Sequence, residues 1–512
     1  MNQQPKTAGI YNRWLFTLGG GEQVTFAYAE ALRDAGYHTT LLTHKKVDIV
    51  HAEKKMNVKL NGITIKYIPL VSAEALSEYS EKFDLFINTS YLDYFPNRSR
   101  SGFLSVFFPA EIYLSPREYL KRKIFIPSLK LLFIYPTEFD GFLHDTYSEG
   151  RINKWLGTHS NITFNNQGIH SLATDLYFPI FSYSSAESVE FLINDQKTTA
   201  ISKTLNHKTN VLTYEFSSKV AIKKFTIVTQ SKYKVDIALS KLTIPKLRYY
   251  FYNVFKNFFP KWEMRLHGGP GVTSLSDIQS YKNIITISKF CQYWIRKYWN
   301  LPSKILYPPV NTAAFRSAEK KNWICHIGRF FVTGHSKKQL ELIRVFKELV
   351  DNKQLVGWEL HLIGSVHEGR NHGQYFEMCL EEALGYPVIF HTKASFVEVK
   401  QILSKSNIYW HATGLDQDPK NEPILFEHFG ITTVEAMASG CIPIVINAGG
   451  QPEIVTKESG FVWNSREELK KFTIKISQSK KLQKKYSLAA KKRSEYFSKE
   501  NFLLRFKKIA NL

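Results

Sequence analysis

The sequence predicts an α/β protein: two domains, each a mostly parallel sheet flanked by helices, with a β-rich module inserted in the first. Three observations carry this. Strand-length apolar runs alternate with amphipathic, helix-length segments toward both ends of the chain. The alternation lapses over residues 161–242, where short β-rich runs alternate with polar turns. Glycine turns stand at strand-to-helix junctions, where open α/β sheets hold their ligands. The 512 residues accommodate roughly two to four domains.

From the front, residues 8–11 read as a strand, Gly19, Gly20 and Gly21 with Glu22 as a glycine loop, and 24–35 as a helix closed by Gly36. Glycines at such a turn let the backbone approach a pyrophosphate in front of a helix N-terminus; three glycines equally make a plain strand-to-helix turn. Strands over 39–43, 83–88 and 103–108 continue the pattern. In the β-rich stretch the runs are 189–193, 210–216, 224–228 and 235–239, a module of sandwich-like size. Alternation resumes with a strand at 284–288 and a helix through Trp294 and Trp299. The second domain follows with strands at 323–327, 358–363, 388–391, 408–411 and 442–446, and helices at 339–349 and 396–404. The expected division is 1–160 and 243–315 for the first domain, 161–242 for the insertion, 316–490 for the second domain, and 491–512 for a C-terminal helix able to return to the first.

The formal net charge of +23 calls for an anionic partner: nucleic acid, a phosphorylated substrate or an acidic membrane surface. No zinc-finger spacing, RNA-binding string or compact basic helix appears, so nucleic acid is not expected. Cys291, Cys325, Cys379 and Cys441 are scattered with no CxxC spacing, which suits a reducing compartment and neither a disulfide framework nor a zinc site. No signal peptide is read at the start. The most apolar run, 124–135, is broken by Pro127 and Lys130 and falls short of the ~20 residues of a membrane helix.

The densest signal is EHFGITTVEAMASGCIPIVINAGG, residues 427–450. Glu427 and Glu435 flank a Phe429-Gly430 turn that opens a helix, with Thr432 or Thr433 as its cap and Gly440 as its stop. Free amides at Gly430 and Ile431 can take phosphates while carboxylates take sugar hydroxyls. Taken alone, Glu427 reads equally as a solvated loop acid and Glu435 as a first-turn acid favoured by the helix dipole. A second constellation is HIGRF with Ser336-Lys337-Lys338: Gly328 and Arg329 stand past a strand end and Lys337 before a helix, where two cations can clamp a diphosphate or simply face solvent.

The string E-x(7)-E enclosing FG, then EAMASG, an apolar strand and GGxPE resembles the retaining family-4 glycosyltransferases of the GT-B fold, two Rossmann-like domains facing across a cleft. HSKKQLELI and WHATG are similar to the mannosyltransferase-like branch that extends lipid-linked glycans. The resemblance implies a nucleotide-diphosphate sugar as co-substrate, a glycan or lipid-linked acceptor, and no other cofactor. It implies Glu427, Arg329 and Lys337 as the catalytic set. For donor binding it implies Gly20, Gly21, Gly328, Phe429, Gly430, Ile431 and Glu435, with Glu435 at the ribose and Glu427 at the transferred sugar. Lys337 rather than Lys338 matches by its spacing to Phe346.

Asp416-Gln417-Asp418 is formally a DxD metal string, but no third acid is placed to complete a site, so these read as loop acids and no metal is expected. Where many relatives carry a sugar-contacting histidine, this chain has Phe107. The segment 415–425 before Glu427 is long enough to form a lid. Two other readings compete: a glycan-binding protein without transfer activity, and another GT-B enzyme such as a sugar-nucleotide epimerase or a phosphorylase. On a helical wheel Leu247, Phe251, Phe255, Phe258 and Trp262 share a face flanked by Arg248, Lys256 and Lys261. That face suits either an anionic membrane or packing within the fold; combined with the net charge of +23 and with what the resemblance to enzymes acting on lipid-linked acceptors implies, the expected location is cytoplasmic and peripheral at the membrane's inner face.

Overall fold

In the computed structural model the chain forms two compact units, Met1–Ile112 with Thr273–His367 and Asn371–Leu512, and Tyr113–Val272 with Glu368–Arg370. The structure describes residues 6–69, 73–110, 112, 120–148, 151–165, 168–178, 187–207, 209–229, 237–259, 266, 274–331, 336–366 and 370–512.

The first unit holds two parallel sheets. One has seven strands in the order Lys304–Ile305, Asn283–Thr286, Ser101–Val106, Leu85–Asn88, Thr7–Tyr11, His38–Thr43, Ile63–Tyr67. Its pairs are all parallel. Ser101–Val106 pairs directly with Asn283–Thr286, so the chain between them is an insertion into this sheet's connectivity. The other sheet has six parallel strands ordered Val388–His391, Glu359–Ile363, Lys321–Ile327, Ser406–His411, Ile442–Ile446, Phe461–Trp463. Strand order reverses between Lys321–Ile327 and Ser406–His411, which makes a crevice beyond their C-terminal ends.

The glycine run itself begins the first helix, Gly20–Asp34, rather than preceding a helix that starts at Val24. Glu22 explains this, because its carboxylate accepts from the Gly19 amide at 2.7 Å and the Thr17 hydroxyl at 2.9 Å and so closes the N-terminus. Every residue from Val24 to Leu32 is buried. The sheet covers one face, and the C-terminal helix Lys499–Ala510 lays Phe502 and Phe506 against Tyr28, at ring distances of 5.2 and 4.7 Å. Glu453, of the GGxPE string, accepts from the amides of Lys289 and Phe290 at 2.7 and 2.8 Å, closing the N-terminus of the helix Lys289–Trp299.

Among the described residues the second unit contains nine antiparallel strands, and the first of them begins at Pro136, not at residue 161. The strands Pro136–Ser148 and Arg151–Phe164 carry enough polar residues to escape notice as a long pair. Val189–Ile193 and Val211–Ser217 lie five strand spacings apart in the sheet order, about 24 Å across a flat sheet. Phe191 of the first nevertheless meets Tyr214 and Phe216 of the second at 4.7 and 4.8 Å between rings. The sheet therefore folds over on itself around one core, as in a sandwich. The last run, expected at 235–239, is a strand over Ala238–Thr243, with residues 235 and 236 outside the described residues.

Candidate functional site

Beyond the strand ends at this reversal the structure brings Lys337 and His411 to Glu427. Glu427 lies just before the helix Ile431–Ala438, and Lys337 just before the helix Gln339–Asp351. Lys337 Nζ sits 2.5 Å from Glu427 Oε2, with 19% and 22% of the two side chains exposed. His411, at the end of its strand, brings Nε2 to 3.4 Å from the same oxygen. Both donors load Oε2, while Oε1 has no hydrogen-bond partner among the described residues. Burial alone pushes the Glu427 carboxyl upward; Lys337 first and His411 second override it and hold it well below the usual range. The site carboxylate is therefore ionised at neutral pH.

His411 is buried and its own value is depressed by desolvation, against the pull of Glu427, so it faces the carboxylate as a neutral Nε2–H donor. His326 lies nearby on the adjacent strand, and its Nδ1 is 3.0 Å from the Trp410 carbonyl. Burial pushes its pKa down to about 3. Gln339 fixes the opposite wall. It is fully buried, and its amide donates to the carbonyls of Gly328 at 2.9 Å and Arg329 at 3.1 Å. Gly328 is there for close approach: a Cβ would lie 2.4 Å from Lys337 Cγ. Arg329 projects into solvent from the same loop, 5.5 Å from the Phe331 ring centroid, with no carboxylate partner among the described residues.

The helix at Ile431 has no side-chain cap, and its cap residue is Gly430. Thr432 and Thr433 do not cap it, because Tyr409 and Gln451 hold their hydroxyls at 2.9 and 2.8 Å. The amides of Gly430, Ile431 and Thr432 consequently have no acceptor among the described residues, the arrangement that receives an anion at a helix N-terminus. Gln451 also donates to the Phe429 carbonyl at 3.0 Å, which pins the turn. Glu435, one turn into the helix, has no hydrogen-bond or cationic partner among the described residues, and burial pushes its carboxyl up to about 7.

The glycine loop meets this helix end. A Cβ on Gly20 would lie 3.0 Å from Ile431 Cδ1, and one on Gly21 would lie 3.3 Å from the Phe107 ring. Phe107 thus serves as apolar backing for the loop. Beside it Phe108 stacks on His428 at 4.5 Å. Asp416 is paired with Arg466 at 2.5 Å, and Asp418 accepts from the Lys420 amide at 2.8 Å, so the two aspartates stabilise their own loop. That loop borders a cavity of about 280 Å³ lined by Ser336, Lys338, Tyr375, Gly414 and Leu425 among others. His411, His326, Gln339 and Gln451 were not legible as site residues; polar side chains buried at strand ends or opening a helix were the available signal.

The model for "Glycosyl transferases group 1" matches residues 310–493. The chain carries a group 1 glycosyl transferase domain. All six residues of the Glu427, Lys337, Arg329, His411, Gln339 and Glu435 set lie within it. A GDP-Man:Man(3)GlcNAc(2)-PP-Dol alpha-1,2-mannosyltransferase of Dictyostelium discoideum is 23% identical over 354 residues, 66% of this chain. The chain spans 62% of that relative's length. A glycosyltransferase of Rickettsia africae superposes with a TM-score of 0.51 at 12% identity, covering 99% of this chain and 98% of that one. Anabaena Alr3699/HepE, solved with UDP, gives 0.51 at 10% identity over 99% and 100%. The fold is GT-B, with which the two parallel sheets of the first unit agree.

Proposed function

We propose that this chain is a retaining, metal-independent hexosyltransferase that moves a sugar from a nucleoside-diphosphate donor to a glycan or lipid-linked glycan acceptor. The observation that carries the reading is Glu427, an ionised carboxylate whose Oε2 is held by Lys337 and His411 while Oε1 has no hydrogen-bond partner among the described residues. Departure of a nucleoside diphosphate develops charge on phosphate oxygens and on the sugar ring. The uncapped amides of Gly430 and Ile431, with Lys337 and Arg329, answer the first; Glu427 orients the ring hydroxyls as the second develops. Gly20 and Gly21 back the same pocket, and Phe429 shapes its turn.

The named activity of the Dictyostelium relative makes GDP-mannose the first donor to test and a lipid-linked oligosaccharide the first acceptor. All four cysteines are buried and unpaired, which suits a reducing compartment such as the cytoplasm. Transfer is expected to persist in excess chelator and in Asp416→Asn and Asp418→Asn, measured as nucleoside diphosphate released with acceptor present. Strict dependence on added divalent metal, lost again in those variants, would replace the cation clamp by a metal clamp.

Glu435 supplies a pH signature. Ribose hydroxyls donate to the ionised carboxylate, so nucleotide binding favours deprotonation of a group that titrates at about 7 in the free protein. Affinity therefore rises with pH up to about 7 and levels off above it, falling on the acid side by up to about tenfold per pH unit. Titration calorimetry between pH 5.5 and 8.5 reads this directly, and Glu435→Gln removes the dependence. The folding linkage has the same origin: the contribution of Glu435 is fully present below its ordinary value of 4.5 and is lost as pH rises through about 7.

A further inference from the structure

Two helical segments of the second unit form a surface that the transfer chemistry leaves unused. The helix Leu247–Phe258 packs Tyr249 and Tyr252 into the core, and Phe255 turns in as well, 5.2 Å from Phe133. The sequence-expected face is thus rotated: Leu247, Tyr250, Phe251, Val254 and Phe258 are the exposed apolar stripe, about 100° wide. Lys261 and Trp262 lie outside the described residues. Beside this helix runs the segment Lys121–Phe125 with Ile126–Leu132, joined to it where the Arg248 guanidinium donates to the carbonyls of Leu131 and Leu132.

That second segment buries Ile126 and Leu129 but turns other large apolar side chains outward. Ile124, Leu131 and Leu132 are 57%, 76% and 60% exposed, and Leu247 and Phe258 across the junction are 68% and 75% exposed. An apolar surface of this extent marks an interaction site. Its charge selects the partner. Residues 120–132 and 247–259 carry six cations, Lys121, Arg122, Lys123, Lys130, Arg248 and Lys256, and not one aspartate or glutamate. A second copy of the chain would set these like charges against each other in a two-fold contact. An anionic lipid surface accepts both features, with rings and leucines at headgroup depth and cations among phosphates. No helix among the described residues is long and apolar enough to cross a membrane.

We propose that this two-helix surface docks the protein on an anionic bilayer. The inference rests on exposure and charge alone and is independent of the transfer reading, although docking there would bring the chain to a lipid-linked acceptor. The test is co-sedimentation of the full chain with vesicles of phosphatidylcholine containing 30% phosphatidylglycerol, on the order of the anionic content to which polybasic surfaces respond. Wild type is expected to pellet at low salt, and to bind about tenfold or more weakly to pure phosphatidylcholine or at high salt. The exposed-face variant Leu247→Ser/Phe251→Ser/Phe258→Ser should weaken binding at least about tenfold with an unchanged melting temperature, and Lys130→Glu alone by about fivefold or more.

Equal pelleting of wild type and triple variant, or no pelleting of wild type on anionic vesicles, overturns the proposal. So does a dimer in analytical ultracentrifugation that the triple variant dissolves, since that assigns the surface to a second copy. Vesicle binding by a protein that transfers no sugar would uphold this surface while removing the transferase reading.

Discussion

Lys337→Ala is expected to lower turnover by about 100-fold or more, the scale for removing one preorganised charge from a reacting centre. Its effect has two sources. The ammonium that would meet the departing phosphate is lost, and Glu427 keeps only the neutral His411 as a partner. Without Lys337 the burial that pushes Glu427 upward is no longer overridden, so the acid limb of the pH–rate profile should move to higher pH. Stability should fall by about 3 kcal/mol, the low end for breaking a buried ion pair, because about a fifth of each side chain still meets solvent. Arg329→Ala should slow the reaction to a similar degree without the stability loss, since Arg329 is exposed and holds no carboxylate among the described residues. Steady-state kinetics with thermal denaturation separates the two variants; wild-type turnover in Lys337→Ala would remove the clamp.

The second large effect is predicted at a residue that has no side chain. Gly449 has φ +60, and a Cβ there would lie 2.1 Å from the Glu427 carbonyl oxygen, to which the neighbouring Gly450 amide already donates at 2.8 Å. Gly449→Ala must therefore displace the backbone that carries Glu427. Transfer should fall by more than about 100-fold, as displacement by ~1 Å suffices to do, and stability by about 2–4 kcal/mol. Gly385→Ala is the control: φ is +80 but no atom lies within 4 Å of the added Cβ. It should cost about 1 kcal/mol and leave turnover intact. Equal activity in the two variants would show that the Glu427 backbone is not held by this turn.

Much of this architecture was legible because local rules and global fold agree. The strands Val388–His391 and Ile442–Ile446 are short apolar runs bounded by turn residues, and both fall where the pattern puts them. The first helix was misread at its start because Glu22 closes a glycine run, a side-chain bond that periodicity does not report. Phe255 was misassigned because its partner Phe133 is more than a hundred residues away in sequence and pulls it inward. At the site, Glu427, Lys337 and Gly430 stood out through their motifs. His411 and Gln339 did not, since a histidine ending a buried strand and a glutamine opening a helix are ordinary until the fold aims them at Glu427 and at the Gly328 carbonyl.

The most direct test of the central claim is release of nucleoside diphosphate from a panel of GDP- and UDP-hexoses by the purified chain, with acceptor omitted and chelator present. One or more donors should be hydrolysed by wild type, and the same donors left intact by Lys337→Ala and by Glu427→Gln, whose neutral amide forms no ion pair with Lys337. Release that is equal in all three proteins, or absent with every donor in a wild type whose melting temperature no nucleotide raises, would contradict it.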